Sequence, residues 1–97
     1  MSRSLIERRL VEANRRLRRA REELAVVDEQ LRALVDTAED SRIRALVSET
    51  PLADREHHEA QRHADAMARS RAAVVSSIEQ LERAQDELLE RLVTESS

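Results

Sequence analysis

The chain has 97 residues, 38% of them charged, a formal net charge of −3, and no glycine, cysteine, phenylalanine, tyrosine or tryptophan. That length bounds it to one small domain. The missing residue types exclude disulfides, thiolate zinc sites, cysteine nucleophiles, glycine-rich phosphate loops and aromatic platforms for stacking bases.

The amino terminus, MSRSLIERRLVEANRR, lacks the apolar stretch and small-residue cleavage site of a signal peptide. The apolar runs are far shorter than a membrane span, so a cytoplasmic location without membrane contact is the expectation. Helix 1 is expected to begin near Ser4, because Ser4 and Glu7 have capping-box spacing. From there an apolar series with alternating steps of four and three runs Ile6, Leu10, Ala13, Leu17, Ala20, Leu24, Val27, Leu31, Leu34, Ala38. This is the heptad pattern of helices that pack along one seam.

The first helix carries eight arginines up to Arg21 against Glu7 and Glu12, then mainly carboxylates from Glu22 to Asp40. Arg15, Arg16, Arg18 and Arg19 form a candidate basic patch for phosphate or an acidic partner. Basic charge in the first half of a helix opposes the macrodipole, which hints at a use beyond stability. All seventeen basic residues are Arg; the side chain suits bidentate carboxylate or phosphate contacts, but base composition favouring Arg codons is the preferred account.

Residues 36–42 (DTAEDSR) are the weak point of helix 1. Beyond them Ile43, Leu46 and Val47 fall off the heptad positions. A continuous or kinked helix with a phase shift is favoured, with a break and a short extra helix as the alternative. Asp36, Glu39, Asp40 and Glu49 give this end an acidic character and form a second candidate site.

Thr50 and Pro51 mark the start of helix 2, Thr50 as N-cap and Pro51 at the first helical position. The expected boundaries are helix 1 at about 4–47, a turn at 48–50, helix 2 at about 51–93 and a frayed tail at 94–97. The second series runs Ala60, Ala64, Met67, Arg71, Val74, Ile78, Leu81, Gln85, Leu88, Leu92. Folded antiparallel, Ile6 faces Leu92, Leu17 faces Leu81 and Leu31 faces Met67, each pair of numbers summing to 98. The fold-back then lies at residue 49, beside Thr50-Pro51, an agreement that a seven-residue repeat gives by chance about one time in seven. The predicted fold is all-α, a long antiparallel two-helix coiled-coil hairpin. Two polar residues interrupt the seam. Gln85 falls opposite Ala13 and close to Asn14, and Arg71 opposite Val27 and close to Asp28, so an amide pair and an Arg–carboxylate pair are expected at the seam edge.

The histidines His57, His58 and His63 lie among Asp54, Glu56 and Glu59. The string His58-Glu59-Ala60-Gln61-Arg62-His63 is one residue longer than the zincin HExxH motif. Histidines at i and i+5 point about 140° apart on a helix and cannot share one zinc ion. No metal, cofactor or catalytic residue is assigned, and the chain is read as a non-enzyme.

A single two-helix seam makes a thin core. The positions flanking the seam of helix 2 are Ala68, Ser70, Val75, Ser77, Glu82, Ala84, Leu89 and Arg91, mostly uncharged. Ala68, Val75, Ala84 and Leu89 therefore mark a face wider than one partner helix covers. Two hairpins meeting there would form a homodimeric four-helix bundle, and another helical protein is the alternative occupant. The expected function is a protein–protein interaction module, a small regulator or adaptor of bacterial type. The second reading is a nucleic-acid- or RNA-polymerase-associated factor using the Arg-rich stretch or the acidic tip. In shape alone the hairpin is similar to the coiled coils of Gre factors, which enter the polymerase secondary channel; no diagnostic motif of that group is present.

Overall fold

The computed structural model describes residues 2–96, with the backbone alone for Ser96. It is all-helical among the described residues. Helix α1 spans Arg3–Ser48 and helix α2 spans Pro51–Ser96, each of 46 residues, and together they make a helical hairpin.

Both ends of the first helix and the start of the second have a chemical cause. The first N-cap is Ser2 rather than Ser4: the Leu5 amide donates to Ser2 Oγ (3.2 Å) and the Ile6 amide to the Ser2 carbonyl (3.0 Å). Glu7, which a capping box on Ser4 would require, pairs instead with Arg3 one turn back (3.1 Å). At its other end α1 closes with the Glu49 amide donating to the Ala45 carbonyl (3.1 Å). Glu49 itself takes a left-handed conformation, φ 51°, which stops the helix in the way a C-terminal glycine does. Thr50 caps α2 as its sequence position implies. Its Oγ1 accepts from the Ala53 amide and its carbonyl from the Asp54 amide, both at 3.1 Å. Pro51 supplies no amide where none is needed. The link between helices is thus two residues, Glu49 and Thr50.

The carboxyl-terminal tail expected to fray from residue 94 is helical as far as Ser96. Thr94 donates its hydroxyl to the Glu90 carbonyl (3.0 Å), within the helix. Ser97 lies outside the described residues.

All twenty residues of the two apolar series are buried or half-buried, so the seam follows the heptad positions read from the sequence. Contacts group the chain into two compact units, one formed by the segment up to Leu24 with that from Val74 onward, the other by Ala25–Ala73. In the terminal unit Ile6 and Leu17 are fully buried, and Ala13, Val74 and Ile78 are buried as well. In the turn unit the buried residues are smaller: Val27, Ala38, Ser41, Ala53 and Ala64. Alanine removes several methylene equivalents of apolar burial relative to leucine, each about 0.8 kcal/mol, so the turn unit gains less from its core per residue.

The expected phase shift after residues 36–42 does not occur. Helix α1 runs unbroken through them, and the seam continues in phase as Ser41, buried, and Ala45, half-buried. On α2 it extends toward the turn as His57 and Ala53. Small or polar residues fill these heptad positions, while Ile43, Leu46 and Val47 lie exposed outside them. Hydropathy therefore followed the wrong residues here.

Candidate interaction surfaces

The seam in the turn unit contains two polar cross-helix contacts. Arg71 donates from Nε to Asp28 Oδ1, the pair expected from its place opposite Val27. Both side chains remain more than a third exposed (43% and 35%), so the pair sits at the seam edge and solvent screens it. Farther toward the turn, Ser41 Oγ donates to the Ala38 carbonyl (2.7 Å) and lies 3.3 Å from His57 Nδ1. With the hydroxyl proton committed to Ala38, the oxygen accepts from Nδ1–H.

That geometry separates the histidines. His57 is a half-buried seam residue, whereas His58 and His63 are exposed. The His57 and His58 rings stack with centroids 5.9 Å apart. No group of three or more His, Cys, Asp or Glu side chains among the described residues could hold a metal ion. The seam role of His57 was open to a sequence signal, since it lies seven residues before Ala64, but its polarity hid it.

Of the face assigned to α2, Ala68, Ala84 and Leu89 are exposed and Val75 is half-buried. Seven-residue spacing places Ala68, Val75, Glu82 and Leu89 along one edge of the seam, and Ala84 with Ser70, Ser77 and Arg91 along the other. The four residues therefore belong to two edges. Within the terminal unit, the edge bearing Val75 and Leu89 is interrupted by Glu82, whose Oε2 lies 3.8 Å from Arg21 Nη2 of α1.

Arg15, Arg16, Arg18 and Arg19 are all exposed. Arg16 and Arg19 share a shallow depression with Glu12, Glu23 and Leu81, so carboxylates lie among the guanidinium groups. Charge counting gives the same result. The terminal unit carries ten carboxylates and ten arginines, and the turn unit ten carboxylates against seven arginines. The whole formal charge of −3 thus resides in the turn unit.

Asp36, Glu39, Asp40 and Glu49 are exposed. Glu39 is engaged by Arg42, which bonds it through Nη2 (2.7 Å) and Nε (3.1 Å). That hydrogen bond first, then the Arg42 charge, holds the Glu39 carboxyl below the usual carboxylate range, with a smaller contribution from His57; Arg42 is raised in turn. The tip also has an apolar component that composition did not reveal: Ile43, Leu46, Val47 and Leu52 are all about half or more exposed.

No helix among the described residues is long and apolar enough to cross a membrane. No known protein family, curated protein or solved structure matches this chain.

Proposed function

We propose that this chain is a non-enzymatic protein–protein interaction module that self-associates through one edge of α2, two hairpins forming a four-helix bundle. The observation that carries this reading is the state of that edge: Leu89 is 46% exposed and Val75 only half-buried, although α1 already occupies the neighbouring seam. A small regulator or adaptor in the cytoplasm fits this behaviour, and the helix of another protein could take the same place.

Molar mass by light-scattering chromatography tests the reading, on the native chain and on the double variant Val75→Glu with Leu89→Glu. The expected result is a native dimer and a helical monomeric variant. A native chain that is monomeric, or a variant that stays dimeric, overturns it.

The exposure of all four patch arginines favours a second reading, phosphate or nucleic-acid binding. The two readings separate on salt, because phosphate contacts weaken steeply as salt rises and apolar association does not.

A further inference from the structure

The outer face of α1 beside the turn carries three large apolar side chains that no element of the hairpin covers. Ile43, Leu46 and Val47 are 49%, 64% and 80% exposed, and their i, i+3, i+4 spacing places them on one stripe. The seam has no use for them, since Ser41 and Ala45 fill its positions in this turn of the helix. Local structure does not favour them either. Isoleucine and valine form helices less well than alanine, glutamate or arginine, which an exposed face accepts freely.

The same stripe continues one turn earlier as Asp36, Glu39 and Asp40, all exposed. Of the ion pairs among the described residues, only Glu39–Arg42 falls on it. Asp40, Ile43, Arg44, Val47 and Ser48 line a shallow depression, in which Arg44 is the one basic residue beside Asp40. The face is therefore apolar toward the turn and negative behind it.

We propose that this face docks an amphipathic helix of another protein, one with Lys or Arg beside its apolar stripe. Its apolar residues cover Ile43, Leu46 and Val47, and its cations meet Asp36 and Asp40. This is the helix-on-face mode of recognition, with charge setting orientation and partner choice. A second copy docked tip to tip is disfavoured, because it brings Asp36 and Asp40 against their own copies in the unit that holds the whole net charge. The inference is independent of association through α2.

The probe is a fluorescein-labelled peptide of about 18 residues, long enough to form a helix, with leucines at i, i+3, i+4, i+7 spacing and lysines elsewhere. Fluorescence anisotropy with the full chain at about 150 mM salt is expected to show saturable binding. Ile43→Ser with Val47→Ser should weaken it at least about tenfold while circular dichroism stays unchanged, since both side chains are exposed. Val75→Glu with Leu89→Glu should leave it intact, and a peptide with glutamates in place of lysines should not bind. The proposal is overturned if the native chain shows no saturable binding, if the Ile43/Val47 variant binds as well, or if the glutamate peptide does. It is also overturned if light scattering shows a native dimer that this variant makes monomeric, because a second copy then occupies the face.

Discussion

Glu49 holds a backbone conformation that costs an ordinary residue about 1–2 kcal/mol and glycine little. In a chain without glycine, a glutamate takes that position at φ 51°. Glycine would relieve the strain but lose more conformational freedom on folding, about 0.5–1 kcal/mol. The first effect is larger, so Glu49→Gly should raise stability by about 0.5–1 kcal/mol, read as a higher urea midpoint with an unchanged slope. Ten residues earlier, Glu39 offers a test of local electrostatics. Its folded carboxyl titrates below the ordinary range because Arg42 bonds its charged form. The pair's contribution is present above the unfolded pKa and is lost as pH falls through the lowered folded one. Side-chain NMR titration should place the Glu39 midpoint below the ordinary glutamate range, and Arg42→Gln should return it to that range.

At the scale of the helices, burial is decided by phase within the heptad rather than by hydropathy. Leu17 and Leu46 have the same side chain on the same helix, yet Leu17 is fully buried and Leu46 is 64% exposed. Leu17→Ala should cost about 2–5 kcal/mol in chemical denaturation, whereas Leu46→Ala should change stability by no more than about 0.5 kcal/mol. Equal losses would mean that the seam runs in another phase. The Asp28–Arg71 contact fixes register at small net energy, because both partners keep water. A double-mutant cycle with Asp28→Ala and Arg71→Ala should give a coupling of about 0.5–1 kcal/mol that shrinks with added salt. In the turn unit, alanines at positions 38, 53 and 64 allow close helix approach, and Ser41 with His57 satisfies a polar layer between them.

For the whole molecule, the distribution of charge weighs more than its total. The terminal unit balances ten arginines with ten carboxylates, so the exposed Arg15, Arg16, Arg18 and Arg19 do not create a broadly positive field. Duplex DNA should accordingly bind weakly at low salt and not measurably at about 150 mM, by anisotropy of a labelled duplex; tight binding at that salt, lost on replacing those four arginines with alanine, would establish the nucleic-acid reading. The sequence by itself determined the two long helices, the antiparallel seam, the capping role of Thr50 and the neighbourhood of Arg71 and Asp28. All of these rest on periodicity and local chemistry, which a linear pattern records. It did not determine that Ser41, Ala45, Ala53 and His57 belong to the seam, because small and polar residues carry no hydropathy signal. Nor did it determine that Ser2 outcompetes Ser4 as the cap, or that Ile43, Leu46 and Val47 face outward. Those outcomes depend on which atoms the facing helix and the local turn bring within reach, and only the tertiary structure decides that.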